Sequence, residues 1–246
     1  MTATLPFTYL SDSTLAGLGL DSTQIADAIE TAIREQEAGR LWAAPKAALF
    51  PQDGRYRMAT LATGESSGLT VVKSVTVNPA GPAQGLPSID GALMVMDSCT
   101  GHLLGVLDAG WITAVRTAGM SMVMARRLAN PRSDSIGFIG TGVQAQSHLQ
   151  ACCALFPIRR IRLYGRGRAN IARMTARAQA MGLDAMVCQE ANQAISDVDL
   201  VVSSITLTYE TAPFLDARRL RKGAFAAITD LGIPWHGDSL QAFDAL

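Results

Sequence analysis

The chain has 246 residues, 48% of them hydrophobic, and its 21 Lys and Arg balance its 21 Asp and Glu. That length and apolar content support one large or two ordinary packed domains and exclude a disordered chain. The cancelled charge, with no basic run longer than the pairs Arg126-Arg127 and Arg159-Arg160, argues against a nucleic-acid or anionic-membrane surface and leaves a small polar metabolite as the expected partner.

Residues 1–9 show no basic flank followed by an apolar stretch, and the longest apolar segment, 111–129, is interrupted by Arg116, Arg126 and Arg127. Neither a signal peptide nor a membrane span is expected. Cys99, Cys152, Cys153 and Cys188 lack metal-ligand spacing and do not form a disulfide framework, which fits a reducing, cytoplasmic setting. From Asp21, an N-capping residue, the series Ile25, Ala28, Ile29, Ala32, Ile33 predicts an amphipathic helix over 21–39 lying against a sheet. Strands are predicted at 55–62, 69–77, 92–97 and 103–108, the last two joined as a hairpin through Ser98-Cys99-Thr100-Gly101. The segment 79–87 is too rich in Gly and Pro for regular structure. A helix over 113–128 ends before Pro131, and 130–134 marks a boundary between a first domain, 1–129, and a second, 130–246.

Beyond that boundary strands and helices alternate: strand 135–139, helix from 143, strand 160–164, helix 169–180 closed by Gly182, strand 185–188, a short helix, and strands 199–205 and 224–228. Alternation of this kind implies parallel strands with crossover helices. The expected fold is α/β, with a Rossmann-type doubly wound nucleotide-binding domain after an α+β domain. No later element completes a six-stranded sheet, so the second domain reads as truncated at its C-terminus.

The turn Gly140-Thr141-Gly142-Val143-Gln144-Ala145 follows one strand and opens one helix, the G-x-G-x-x-A arrangement of a dinucleotide site. Gly140 allows a sharp exit from the strand and Gly142 a close approach of backbone to pyrophosphate. Ala145 keeps helix and strand close, and the free N–H groups of the helix start face the anion. The second strand ends in Tyr164-Gly165-Arg166 without the acidic residue that holds an NAD ribose. Arg166 can instead accept a 2′-phosphate, which favours NADP over NAD; the plainer alternative is a solvated loop charge.

Several segments together resemble the ornithine cyclodeaminase/mu-crystallin family. They are Ala44-Pro45-Lys46, Arg57-Met58, Val72-Lys73, Gly85-Leu86-Pro87, residues 100–104, the run Ile112-Thr113-Ala114-Val115-Arg116-Thr117-Ala118, and 137–145. The resemblance spans nearly the whole chain and includes ketimine reductases and an archaeal type of alanine dehydrogenase. It implies a first domain that binds substrate and forms a homodimer, and a site in the cleft between the domains.

What the resemblance implies for residues is specific. Lys46 and Arg57 look like the carboxylate-binding pair of the alanine dehydrogenase branch, and Lys73 binds substrate and helps to move protons; on physical grounds Arg116 joins these three cations as a partner for an amino-acid carboxylate. Asp230, after the fifth strand of the second domain, transfers a proton; an ungapped correspondence puts Gly232 at that position, and Asp238 is the fallback. Thr206 lies beside the nicotinamide; with Thr117, with Gly140, Thr141, Gly142, Val143 and Gln144 of the turn, and with Arg166 from the missing-acid argument above, it makes up the expected cofactor-binding set. The reaction implied is hydride transfer at the C–N bond of a small amino or imino acid.

On physical grounds, Lys73 shares one strand face with Val71 and Val75, and a buried Arg116 requires a counter-ion; surface and salt-bridge roles are the alternatives. Cyclodeaminases of the family have Glu-Leu-Met-Pro where this chain has Tyr56-Arg57-Met58-Ala59, which favours a reductase or dehydrogenase. A cyclodeaminase and a non-catalytic, crystallin-like binding protein are the other readings. His102, His148 and His236 have no ligand-spaced neighbours, so no metal is expected, and His148 reads as a packed or surface residue.

Overall fold

The structure is a computed structural model and describes residues 6–206 and 210–245. Of the stretch 1–9, residues 1–5 lie outside the described residues. The chain forms two compact units, Met1–Arg116 and Thr117–Leu246. The division falls inside helix α3 (Gly110–Leu128), ahead of the 130–134 boundary read from the sequence.

The first unit contains β1 (Thr8–Leu10), α1 (Asp12–Ala16), α2 (Ser22–Glu37), β2 (Leu41–Ala43), β3 (Ala47–Leu49), β4 (Tyr56–Gly64), β5 (Leu69–Val77), β6 (Ile89–Asp97) and β7 (Leu103–Asp108). Its sheet runs β1-β7-β6-β5-β4-β2, with β3 also paired to β4. The pairs among β4, β5, β6 and β7 are antiparallel, and β1 joins β7 in parallel. Three strands beyond the expected four, β1, β2 and β3, are three residues long, too short for an alternation to register. Strand β6 begins three residues before the expected 92 because it runs through Gly91, where a Cβ would lie 2.1 Å from the Ser74 carbonyl oxygen. A glycine that normally interrupts a strand here permits a close backbone approach. The capping box of Asp21 and Gln24 opens α2 as expected.

The second unit holds β8 (Ser135–Ile139), α4 (Val143–Leu155), β9 (Arg160–Tyr164), α5 (Arg168–Ala180), β10 (Asp184–Val187), α6 (Ala191–Ile195), β11 (Leu200–Ser203) and β12 (Phe225–Ile228). Its five strands are parallel in the order β10-β9-β8-β11-β12. Every residue of β8 is buried, as a central strand covered on both faces demands. At Gly137 a Cβ would stand 2.0 Å from the Ala194 carbonyl oxygen, so the glycine lets α6 rest on the sheet. On α4, Ala145, His148 and Leu149 are fully buried. The strand order reverses at β8, which puts the carboxyl ends of β8 and β11 at the switch point where such sheets take ligands.

Candidate active site

Lys73 lies at the middle of β5, opposite Thr60 of β4 and Leu93 of β6. Its face of the sheet is the apolar one: Met58, Val71, Val75, Leu93 and Leu107 pack there with Ala109 and Ile112. Strand alternation therefore turns a half-buried ammonium into apolar surroundings.

Arg116 reaches the same neighbourhood through α3. The Trp111 N–H donates to Asp12 Oδ1 at 2.8 Å, and a Cβ on Gly110 would fall 2.2 Å from Asp12 Oδ2, so this glycine is what admits Asp12. With the first turn held, Ile112 enters the core and Arg116, four residues on, projects from the same side of the helix. Burial first, and the Arg116 charge second, lower Lys73 to about 8. Arg116 is exposed rather than buried, a correction to the expectation of a buried cation, yet the protein around its guanidinium lowers its pKa. Among the described residues, neither Lys73 nor Arg116 has a carboxylate partner. Two like charges held together without a counter-ion make a place where a carboxylate is attracted.

The other two expected cations are not drawn into this pair. Arg57 pairs with Thr76 while Thr60 pairs with Lys73, and the odd offset between Arg57 and Thr60 puts Arg57 on the opposite, exposed face. Its neighbour Tyr56 shares the Lys73 face, four residues along the strand. Lys46, exposed between β2 and β3, has its Nζ 5.5 Å from the centre of the Tyr56 ring, a cation–π arrangement. The position facing inward is therefore Tyr56. Counting by twos back from Met58, a core residue, could have found it.

In the second unit the turn after β8 has the geometry of a phosphate cradle. Gly140 has φ +89° and sits against Ser204, whose carbonyl oxygen would be 2.5 Å from an added Cβ. At Gly142, which opens α4, nothing stands within 4 Å of a Cβ, and no side chain caps the helix. Thr141 is buried beside Gly165, and Val143 is 66% exposed. Gln144 Oε1 and Ser204 Oγ are buried without hydrogen-bond partners among the described residues. Open amides, an empty approach and unpaired polar atoms fit a dinucleotide. Arg166 is exposed in the loop after β9, Thr206 is exposed after β11, and Thr117, half-buried, lies on α3.

Asp230 follows β12 and is 1% exposed. Burial raises its pKa, opposed by its hydrogen bonds. Ser203 Oγ donates to both carboxylate oxygens at 2.6 and 2.7 Å, and the Ile205 N–H donates to Oδ2 at 3.1 Å. Asp238 is exposed and lies 3.5 Å from Arg218. His148 is packed, with Nδ1 2.7 Å from the Gln144 carbonyl and Nε2 3.0 Å from Ser121 Oγ. Among the described residues no metal-binding cluster occurs and no helix is long and apolar enough to cross a membrane.

The model of the ornithine cyclodeaminase/mu-crystallin family matches residues 15–232. Ketimine reductase mu-crystallin of Mus musculus is 32% identical over 139 residues, covering 56% of this chain and 42% of its own length. Delta(1)-pyrroline-2-carboxylate reductase 2 of Burkholderia ambifaria is 30% identical over 210 residues, 85% of this chain and 67% of that protein. An archaeal alanine dehydrogenase dimer with bound NAD superposes with a TM-score of 0.80 at 26% identity, over 89% of this chain and 66% of its own. The chain spans about half the length of many curated relatives it matches.

Proposed function

This chain belongs to the ornithine cyclodeaminase/mu-crystallin family, and we propose that it is an NAD(P)H-dependent reductase acting on the C=N bond of a small imino acid that bears a carboxylate. The observation that carries this reading is the pair Lys73 and Arg116, two neighbouring cations without a carboxylate partner among the described residues. Both bind the substrate carboxylate, Arg116 through its planar fork and Lys73 as a point charge. Reduction of C=N takes one hydride, which bound reduced nicotinamide supplies, and one proton. Lys73 Nζ, lowered to about 8, is suited to give that proton to the substrate nitrogen near neutral pH. The dinucleotide is held by Gly140, Thr141, Gly142, Val143 and Gln144, with Thr117 and Thr206 beside it. Tyr56, on the Lys73 face, carries no carboxylate where cyclodeaminases of the family have Glu, which supports a reductase.

Arg166, exposed in the loop after β9 and without an acidic partner among the described residues, favours NADPH over NADH. The test follows reduced nicotinamide by absorbance with 1-pyrroline-2-carboxylate, pyruvate plus ammonia, and ornithine. Oxidation of NADPH with the cyclic imine is the expected result, and Arg166→Ala should raise the NADPH KM by about 10-fold, the loss of one charge-assisted contact, while sparing that for NADH. Ornithine turnover without net cofactor change would make the chain a cyclodeaminase. Binding without turnover of any of the three would make it a binding protein.

The chain is also proposed to act as a homodimer through the outer face of its first sheet. Leu61, Val72, Met94, Val106 and Tyr9 form one row across five strands, and Leu61, Met94 and Tyr9 are 44%, 43% and 59% exposed. Such a contiguous apolar row marks an interface, and identity with its own copy suits the dimeric archaeal neighbour. Light scattering should give twice the chain mass, and Leu61→Glu with Met94→Lys should give the single mass. A monomeric parent chain at micromolar concentration would contradict the dimer.

A further inference from the structure

Ser203 is held in one polarity. The Trp235 indole can only donate, and its Nε1–H reaches Ser203 Oγ at 3.1 Å. The single hydroxyl proton of Ser203 must then go to Asp230, which it does at 2.6 and 2.7 Å. The same carboxylate takes the Ile205 N–H. Asp230 thus grips the two residues that flank Ser204, and Ser204 is the residue whose carbonyl lies against Gly140. The Thr229 hydroxyl and N–H add two contacts of 2.9 Å to the Ser203 carbonyl, fixing the ends of β11 and β12 together.

We infer that Asp230 is a positioning residue for the dinucleotide turn: it acts through Ser203 and Ile205 to hold Ser204 against Gly140, and it does not exchange protons with substrate. The assignment rests on the dinucleotide reading proposed above. The residue is almost wholly enclosed, and both of its carboxylate oxygens already accept hydrogen bonds from protein donors. A proton carrier needs contact with the group it serves. A clamp needs acceptors facing inward, which is how Asp230 is arranged.

Asp230→Ala and Asp230→Asn, prepared in the full chain, separate the two roles. The dinucleotide Kd is read from nicotinamide fluorescence, folding from the melting temperature, and KM and kcat from turnover of 1-pyrroline-2-carboxylate. Asp230→Ala should weaken dinucleotide binding by about 10-fold, the cost of stranding a buried donor, with dinucleotide KM rising in step. Asp230→Asn keeps one acceptor oxygen for the Ser203 proton and should recover part of that loss, with kcat within about 3-fold of the parent. Should Asp230→Asn bind dinucleotide as the parent does and yet lose about 100-fold in kcat, Asp230 carries protons and the inference is overturned. Folded Asp230→Ala with parental Kd overturns it as well. A parent chain that binds neither NADH nor NADPH removes the dinucleotide reading itself, and the clamp with it.

Discussion

Lys73→Met is expected to lower kcat/KM for the imino acid by about 10²- to 10⁴-fold, the range for loss of a proton-transferring group, and at the same time to raise the melting temperature. The two effects share one cause. Lys73 is half-buried among Val71, Val75 and Leu93 and faces the Arg116 charge, so its ammonium is held at a cost that a bound carboxylate relieves. Met fills the same volume without the charge, as replacement of strained functional groups commonly stabilises a fold. For a domain of this size, Tm rises by roughly 2–4 °C for each kcal/mol recovered.

The pH dependence gives the sign. Below about 8 Lys73 is charged in both folded and unfolded chains; between about 8 and the ordinary 10.5 the folded chain holds fewer protons than the unfolded one. Stability should therefore rise with pH across that window, and Lys73→Met should flatten the rise. Substrate affinity should run the other way, falling as pH climbs through about 8, because the carboxylate loses a cation. Thermal melts and kcat/KM profiles of both proteins check each limb. Equal stability of parent and Lys73→Met at every pH, with unchanged kcat/KM, would remove Lys73 from the site.

How far the site was legible depended on the range of the interaction that makes it. The turn at Gly140 and Gly142 is local: two glycines between a strand and a helix specify their own backbone, and the parallel order around β8 follows from the alternation of elements. The face shared by Lys73, Val71 and Val75 is also local, because period-two alternation needs no partner. Arg57 shows where that logic fails. One residue separates the exposed face from the inner one, and the alternation set by Thr60 opposite Lys73 makes Tyr56, not Arg57, the inward position. The approach of Arg116 to Lys73 depends on Asp12 and Gly110 fixing the first turn of α3, which no spacing within α3 encodes. Asp230 is the clearest long-range case. An Asp after a strand looks like any turn residue, and its contacts with Ser203, Ile205 and, through Ser203, Trp235 appear only in the folded chain.

Gly140→Ala and Gly142→Ala should separate folding from binding within a single turn. At Gly140 the backbone is left-handed, φ +89°, and the new methyl group would press on the Ser204 carbonyl carbon at 2.9 Å as well as its oxygen at 2.5 Å. Neither obstacle is the flexible end of a side chain. Left-handed strain costs about 1–3 kcal/mol and overpacking about as much again, so Gly140→Ala should lower Tm by roughly 5–20 °C. Gly142 is different: its φ of −80° suits any residue, and nothing lies within 4 Å of the added carbon. Its substitution costs only the poorer helix cap, about 0.5–1 kcal/mol. On the dinucleotide reading proposed above, the open space beside it is where a pyrophosphate would approach the first amides of α4. Gly142→Ala should therefore melt within a few degrees of the parent, about 2–4 °C per kcal/mol, yet bind NADH and NADPH at least about 10-fold more weakly, as expected when a charge-assisted contact is held off. Calorimetry and fluorescence titration on the two variants decide the matter. If Gly142→Ala retains full affinity for both dinucleotides, the turn is a structural bend and the anion lies elsewhere; if Gly140→Ala melts with the parent, the seat of Gly140 on Ser204 does not bear on stability, and the clamp at Asp230 loses the contact through which it acts.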